Sequence, residues 1–522
     1  MNADTPTPQA FSQVSAIVFI VGLVMAVTGI LNSHPTMFGM PKIGPFDPEI
    51  IRPIIMGASV VIVLLTQPFG KLIQEKYPGL GRGGYLFDVI LFAVTAYALW
   101  RFHLDVGIIA SGDLFDFELE HPIIAIAGAV CFVILCWRVW GTPLAVCGVI
   151  ALIYLYTGEW WPWIFEAAST TDNRQSFINT AEDLWFNQGD GVLGGILEIL
   201  IFTVFPFILL GSMLEKTGGG MSMIKIAVHL TKRFRGGPAH AAILASGLFG
   251  TMSGGAVTNV VATGVITIPM IKKRGFHPAF AGGVEATASS AGQIMPPIMG
   301  AAALVMADFT GIGYLTIIVA ALVPALAYYA SLFTSVVFES RRLGVEAVEE
   351  VDPELTVNRQ DYINLILVLA PIAVVIYTLI LGFSPAGAGL MGMYILIPLS
   401  FLNPEVRQNP AIIIAALARG GQTFGNLLMA IAVVGVIVAV LGSTGLPTDF
   451  AQVVSGGSGA GLFVTLVIAA LAALMLSMGM PTLPAYLTII LIMGPAMKTL
   501  GLSSLVAHLF DYYNGVASTR TR

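Results

Sequence analysis

The sequence predicts an all-α polytopic membrane protein. Of its 522 residues, 56% are hydrophobic and only 10% are charged, whereas soluble globular proteins carry about 25% charged residues. The mean hydropathy is +0.87, and many apolar runs approach the roughly 20 residues that a membrane-spanning helix needs. So few charges could not cover a soluble body of this size, which excludes soluble enzymes and disordered proteins. The net charge of −6 offers no basic surface for nucleic acid.

Residues 1–190 are expected to form an N-terminal membrane scaffold of five helices. The apolar segments are Ser15–Leu31, Ile50–Gln67, Gly84–Trp100, Pro122–Trp137 and Pro143–Thr157. Asp105 and other acidic residues form a predicted loop after the third segment, and Trp160, Trp161 and Trp163 follow the fifth. Because basic loops stay cytoplasmic and tryptophans favour the interface, we expect the amino terminus inside and the Trp160 loop outside.

Residues 191–340 are predicted to form a first transport repeat with a hairpin at 237–271. Ala239–Met252 and Ala256–Ile271 are apolar, flank Ser253-Gly254-Gly255, and have basic clusters at both outer ends. Fourteen helical residues rise only about 21 Å, and both basic ends favour the cytoplasm. We therefore expect two half-helices that meet within the membrane, where freed backbone groups bind ions. A tight helix–helix crossing at small residues is the alternative.

The next predicted helix is interrupted by a double proline. Pro296 and Pro297 remove two backbone donors, so we expect either a broken helix or a simple kink. Glu285, near the start of this helix, is expected either at the membrane interface or buried. Glu198 lies in the preceding apolar segment and is a functional candidate because ionisable groups in membranes are costly, although pairing with a neighbouring helix would explain it equally well.

An internal repeat relates the two halves of the chain. At one constant offset Met252 pairs with Met478, Pro269 with Pro495, Lys272 with Lys498 and Gly275 with Gly501. Residues 341–410 are expected to be a charged linker with scaffold spans, and residues 411–522 a second repeat with a hairpin at 460–497. Counting crossings brings the second hairpin in from the opposite side, so the repeats are predicted to be inverted, as in many secondary transporters.

Several motifs resemble those of one transporter family. They are Arg235-Gly-Gly-Pro-Ala239, Phe249-Gly-x-x-Ser253-Gly254, Asn259-Val-Val-x-Thr263-Gly264 and Gln293-x-Met295-Pro296-Pro297. They are similar to the fused permease of tripartite ATP-independent periplasmic (TRAP) transporters, in the class served by a TAXI-type binding protein. The resemblance extends from Leu152 to Leu509. It implies an elevator-type transporter with inverted repeats in the bacterial inner membrane.

The resemblance also implies partners, an energy source and a site. The partners are a TAXI-type periplasmic substrate-binding protein and a small organic acid, and the energy comes from a sodium or proton gradient without a cofactor. With neighbouring oxygen-bearing residues, the candidate substrate and ion site comprises Ser253, Gly254, Gly255, Thr258, Asn259, Thr263, Ser290, Gln293, Met295, Pro296, Pro297, Gly479, Met480, Pro481 and Thr482. A sodium ion is expected near Ser253, Asn259, Pro296, Gly479 and Thr482.

Three further expectations follow from motifs that the sequence lacks. No phosphate-cradling Gly-x-x-x-x-Gly-Lys-Ser/Thr occurs, so we expect no ATPase. No Ser/His or His/Glu metal constellation lies in the apolar segments, so we expect no enzyme. Projected by the offset of the repeat, the double proline falls on Thr519–Arg522, where no second break stands, and we expect a truncated carboxyl terminus. The alternatives are a receptor-independent carboxylate symporter or antiporter, and a non-transporting membrane protein.

Overall fold

The computed structural model describes residues 13–34, 43–77, 83–112, 115–157, 177–346, 355–448, 451, 462–477 and 480–518. The regular secondary structure of these residues is helical. The helices are α1 (Gln13–Ser33), α2 (Pro48–Thr66), α3 (Phe69–Lys76), α4 (Tyr85–Ala110), α5 (Glu120–Trp140), α6 (Thr142–Thr157), α7 (Gly195–Lys216), α8 (Gly219–Thr231), α9 (Gly237–Ser253), α10 (Ala256–Lys273), α11 (Pro278–Ala291), α12 (Ala301–Thr310), α13 (Tyr314–Arg342), α14 (Arg359–Ile380), α15 (Pro385–Ser400), α16 (Pro404–Gln408), α17 (Ala411–Thr444), α18 (Leu462–Ser477), α19 (Thr482–Thr499) and α20 (Ser504–Ser518).

Helix length and composition agree with the predicted class of protein. Eight helical segments of the described part are long and apolar enough to cross a bilayer. They are Val14–Ser33, Pro48–Lys76, Tyr85–Ala110, Glu120–Trp140, Gly195–Lys216, Tyr314–Arg342, Arg359–Ile380 and Ala411–Thr444. The chain is therefore an all-helical polytopic membrane protein, as the composition predicted.

Helix α17 lies at the centre of the molecule. It packs against α1, α2, α5, α6 and α7 on the N-terminal side and against α19 on the other. Glycines allow the close approach: a Cβ atom added to Gly421 would lie 2.0 Å from the carbonyl oxygen of Gly22, and small residues at crossings bring membrane helices together. Helix α17 therefore joins the N-terminal helices to the carboxyl-terminal part of the chain.

Two features of the N-terminal region bear on the expected loops. Helix α4 continues to Ala110, so Asp105 lies within a helix and the predicted loop there is wrong. The reason is local pairing: Asp105 is buried and lies 3.3 Å from the Nε of Arg101, one turn earlier, and opposite charges four residues apart stabilise a helix. Residues Trp160, Trp161 and Trp163 lie outside the described residues.

Glu198 pairs with a basic side chain of a neighbouring helix. Its Oε2 accepts a hydrogen bond from Nη2 of Arg52, and Arg52 is 2% exposed. The Nη1 of Arg52 donates to the backbone oxygens of Gln188 and Leu193, at 3.2 and 3.1 Å. Of the two roles open to Glu198, this geometry gives the structural one: it neutralises a buried arginine that ties α2 to the start of α7.

The two sequence repeats fold into similar groups of three helices. Helices α9, α10 and α11, here the first hairpin unit, all contact one another, and so do α18, α19 and α20, the second hairpin unit. The offset that pairs Met252 with Met478 also relates the first residue of α10 to that of α19, and the first residue of α11 to that of α20. Gly275 and Gly501 each follow the second helix of their unit with φ of +88°. Helices α9 and α10 have 17 and 18 residues and are longer than predicted. Helix α9 begins two residues earlier, at Gly237, and α10 ends two residues later, at Lys273.

Candidate functional site

The tip of the first hairpin unit packs directly on the broken helix. Helix α9 ends at Ser253, and Gly254 adopts the left-handed conformation with φ of +57°. A Cβ atom on Gly254 would lie only 2.1 Å from the carbonyl oxygen of Met299, so only glycine fits this contact. Helices α9 and α10 therefore pack together as a helical hairpin with its tip at Gly254, while its depth in the membrane stays a prediction.

The segment after α11 is a break rather than a kink. A single 3₁₀ turn, Gly292–Ile294, follows α11, and regular helix resumes only at Ala301. The backbone oxygen of Gln293 accepts hydrogen bonds from Gly300 N and from Tyr512 Oη, each at 2.6 Å. The Oη of Tyr314 donates to the backbone oxygen of Pro297 at 2.9 Å. Irregular backbone at membrane depth requires such protein partners.

Glu285 is the buried polar centre of the first hairpin unit. It is 0% exposed, which decides between the two expected locations. Its carboxylate accepts hydrogen bonds from Ser246 Oγ at 2.9 Å, Thr267 Oγ1 at 2.5 Å and Ser289 Oγ at 3.1 Å, and from Thr263 Oγ1. These hydroxyls come from α9, α10 and α11, so one carboxylate holds three helices together.

Asn259 and Thr263 extend this network towards the tip. Nδ2 of Asn259 donates to the backbone oxygen of Ser246 at 2.8 Å, and the backbone oxygen of Asn259, 2.8 Å from Thr263 Oγ1, is an alternative acceptor for the hydroxyl that faces Glu285. Both side chains are 0% exposed. A fully satisfied buried network makes a structure rigid, so the network fixes the tip of α10 relative to α9.

The second hairpin unit reaches the same break from another side. A Cβ atom on Gly300 would lie 3.0 Å from Oη of Tyr512, which is part of α20. In α19, Thr482 is 8% exposed and Pro481 precedes the helix as its N-cap. Met480 is fully buried, and Gly479 lies outside the described residues.

The structure places the other predicted site residues as follows. Pro296 and Pro297 are buried, Gly255 and Met295 are half-buried and Thr258 is exposed. Ser290 Oγ bonds to the backbone oxygen of Ala286 within α11 at 2.8 Å. The side chain of Ser253 lies outside the part of the chain that the structure describes. The first tip, Gln293 and the break are thus brought together, whereas Ser290 bonds within its own helix.

Oxygen atoms dominate the groups that could bind a cation. Within the described ranges no three His, Cys, Asp or Glu side chains form a metal-binding group. The buried Oε1 of Gln293 and Oγ1 of Thr482 have no hydrogen-bond partner among the described residues. Such neutral oxygens, with backbone carbonyls, suit a hard cation better than a soft metal.

Sequence reasoning missed members of this network, although a signal was present. Ser246, Thr267 and Ser289 were not predicted, and Glu285 had two possible locations. Thr263 and Thr267 are four residues apart, as are Glu285 and Ser289, so each pair lies on one helix face. Two polar pairs on neighbouring apolar helices indicate a shared buried site.

Replacement of Gly254 by alanine should destabilise the hairpin by strain and by contact. A left-handed conformation costs a non-glycine residue about 1–2 kcal/mol, and the new methyl group would also overlap Met299. Gly275→Ala is the matched control, because Gly275 has φ of +88° with no atom within 4 Å of its added Cβ. We expect a larger fall in melting temperature for Gly254→Ala in purified protein. Equal falls would contradict the proposed contact with the break.

Comparison with known proteins places most of the chain in one family. Residues 128–521 match the family profile described as "Tripartite ATP-independent periplasmic transporter, DctM component". The matched range includes both hairpin units and the break between α11 and α12. It therefore covers the whole candidate site.

Individual relatives match shorter stretches. The C4-dicarboxylate TRAP transporter large permease protein DctM of Vibrio cholerae is 38% identical over 93 residues, 18% of this chain and 20% of that protein. The sialic acid TRAP transporter large permease protein SiaM of Vibrio cholerae is 31% identical over 106 residues, 20% of this chain and 25% of that protein. The uncharacterized protein y4mL of Sinorhizobium fredii is 31% identical over 156 residues, 30% of this chain and 36% of that protein. The chain thus matches about a third or less of each relative's length.

Proposed function

Because the chain belongs to the family of TRAP transporter DctM components, we propose that it is the membrane permease of an ion-coupled tripartite importer. It would receive a small organic acid from a periplasmic binding protein of the TAXI type and carry it across the bacterial inner membrane. A sodium or proton gradient would drive the transport. The names of two relatives include C4-dicarboxylate and sialic acid, which supports an organic anion as substrate.

Two helix N-termini at the hairpin tips support this proposal most directly. Helix α10 begins after Gly255 and α19 after Pro481. Neither of these N-cap residues has a side-chain acceptor. The first turn of α10 therefore offers three backbone N–H groups to another partner, and that of α19 offers two, because Pro484 has none. Helix N-termini attract anions through these groups and the helix dipole. A carboxylate substrate would find such a donor set at each tip.

The break between α11 and α12 would supply the cation ligands. Its irregular backbone presents carbonyl oxygens next to the tip at Gly254, and the side-chain oxygen of Gln293 is buried there without a partner in the described part of the chain. In secondary transporters, freed carbonyls and half-helix ends coordinate the coupling ion beside the substrate. We place the coupling ion between the first tip and the break.

The two hairpin units would move as rigid bodies against the scaffold. The buried network of Glu285 makes the first unit one body, and α17 provides a long buried surface between the N-terminal helices and the second unit. The constant offset between the repeats supports two related units around one site, and the count of crossings along the chain predicts that they are inverted, the arrangement that produces alternating access in many transporters. We propose an elevator motion of this kind.

Uptake into proteoliposomes tests the tripartite mechanism. The full-length chain would be reconstituted and supplied with radiolabelled succinate or sialic acid, with or without the candidate TAXI-type binding protein and an imposed ion gradient. We expect uptake only when both binding protein and gradient are present. Uptake that persists without binding protein would contradict the tripartite mechanism and favour a receptor-independent symporter.

Ser253→Ala and Asn259→Ala should reduce ion-dependent uptake more than they reduce folding. Both positions lie in motifs that resemble those of the family, from which the ion site is inferred, and Asn259 connects α10 to Ser246 of α9. The measurement is uptake at several ion concentrations together with the melting temperature of each variant. If both variants take up substrate normally while remaining folded, the assignment of the first tip to the ion site fails.

A further inference from the structure

Asp511 of α20 is a fully buried acid without a partner among the described residues. Its side chain is 0% exposed, and neither carboxylate oxygen has a hydrogen-bond partner in that part of the chain. An ionised carboxylate in apolar surroundings is very costly without hydrogen bonds or a counter-ion, whereas the neutral acid is much less so. The side chain therefore needs a bound cation, and the smallest one is a proton.

The internal repeat relates Asp511 to Glu285. At the offset that relates α10 to α19 and α11 to α20, residue 285 corresponds to residue 511. The four hydroxyl residues that bond to Glu285 correspond to apolar residues in the second unit. Ser246, Thr263, Thr267 and Ser289 become Ala472, Ile489, Met493 and Gly515. The second unit thus retains an acid at this position, but the four hydroxyl donors that surround Glu285 in the first unit have no counterparts around Asp511.

The ionisable groups around Asp511 do not replace those donors. On the helices that contact α20, they are Tyr486 and Lys498 of α19, Asp308 of α12, Glu285 of α11, and six residues of α13, whose Ala321 backbone oxygen accepts a hydrogen bond from Tyr513 Oη: Tyr314, Tyr328, Tyr329, Glu339, Arg341 and Arg342. Helix α18 carries none. Helix α20 itself adds His508, Tyr512 and Tyr513. Tyr486 Oη is hydrogen-bonded to His508 Nδ1 at 2.6 Å, and Tyr512 Oη donates to Gln293 O. Lys498 is exposed in the last turn of α19.

We propose that the Asp511 carboxyl is a proton-binding site of the second hairpin unit and that its proton is a coupling ion of transport. The proposal rests on the ion-coupled function proposed above, which allows sodium or a proton, and it assigns a proton to Asp511. In the packed unit the carboxylate takes up one proton from water to form the neutral acid. When the second hairpin unit moves and water reaches the side chain, the acid releases that proton to the water and the carboxylate is solvated.

The position of Asp511 connects this proton to the candidate site. The neighbouring residue Tyr512 donates to the backbone oxygen of Gln293 at the break. Gly515, one turn after Asp511, lies beside Tyr486, since its added Cβ would be 3.9 Å from Tyr486 N. A movement of α20 that opens the site at the break would therefore also change the burial of Asp511.

Infrared difference spectroscopy detects the proton directly and needs no substrate. Spectra of purified full-length wild type and Asp511→Asn would be compared at neutral pH, in H₂O and in D₂O. We expect the variant to lose a C=O stretching band of a protonated carboxylic acid that shifts in D₂O. Glu285→Gln is the matched comparison, because four hydroxyls face that carboxyl group, and it should keep the acid band that Asp511→Asn loses. Asp511→Leu gives the same comparison if the asparagine variant does not fold.

Two outcomes would overturn the proposal. One is the loss of carboxylate bands, rather than an acid band, in Asp511→Asn. If those bands depend on sodium in the buffer, the site binds sodium instead of a proton. The other is wild-type uptake into proteoliposomes whose stimulation by an inward proton gradient is unchanged in Asp511→Asn. We expect the uptake rate of Asp511→Asn in the presence of a proton gradient to fall to the rate measured without a gradient. If wild type shows no uptake at all, the proposed function fails, while the infrared band still reports whether Asp511 is protonated.

Discussion

Replacement of Glu285 by alanine is expected to lower the free energy of unfolding by about 3 kcal/mol or more, because hydrogen bonds to a charged group contribute about 1.5–3 kcal/mol each. Four hydroxyls donate to this carboxylate. Two of them keep an alternative acceptor, since Thr263 and Thr267 also bond to backbone oxygens one turn earlier. Without the carboxylate, Ser246 and Ser289 retain only hydroxyl partners, since they lie 3.3 Å from each other and Ser246 lies 3.2 Å from Thr263. The loss therefore falls on the contact of α9 with α11.

A comparison of two substitutions separates charge from shape. Glu285→Gln keeps the volume and one acceptor oxygen, so we expect a smaller loss of stability than in Glu285→Ala. Glu339→Ala is the control for removal of a glutamate, because Glu339 pairs with the exposed Arg342, and exposed ion pairs contribute little. Melting temperatures of the purified proteins measure all three. If Glu285→Ala melts like Glu339→Ala, the network does not hold the hairpin unit together.

The location of Glu285 shows what the sequence could not predict. Hairpin and break were predictable because Gly254 and the pair Pro296-Pro297 act on their own backbone, through φ and missing donors. The burial of Glu285 depends on which helices pack around it. Its distance along the chain from the basic cluster of residues 272–274 is compatible with either location. Only the packing of α9, α10 and α11 brings four hydroxyls to one carboxylate.

Asp105 and Asp511 show two different limits of the same reasoning. The expected loop at Asp105 rests on a count of charges along the chain, and such a count does not identify the partner Arg101. Asp511 could have been found, because the offset that aligns Gly275 with Gly501 also aligns residues 285 and 511. What the sequence alone could not predict is that Asp511 is buried without a donor among the described residues, since its surroundings come from α18 and α19.

Replacement of Gly250 by alanine is the second large effect that we expect. A Cβ atom at this position would lie 2.2 Å from the Cα of Gly292, and carbon atoms pack at about 3.5–4.0 Å. The obstacle is backbone, so no side-chain rotation relieves it, and α9 must move away from the break by about 1 Å or more. Overpacking of this kind costs about 1–3 kcal/mol. It should also abolish uptake, because the same movement separates Gly254 from Met299.

Gly283→Ala is the matched control for this substitution. Gly283 lies within α11, and its added Cβ meets no atom within 4 Å, so alanine should be neutral or stabilise the helix by up to about 1 kcal/mol. Unchanged stability and uptake in Gly250→Ala would contradict the close contact. The two large effects also test each other, since Glu285→Ala removes an attraction within the first hairpin unit and Gly250→Ala adds a repulsion between α9 and the turn that directly follows α11. If both act on the packing of α9 against α11, their effects in the double variant should be smaller than additive.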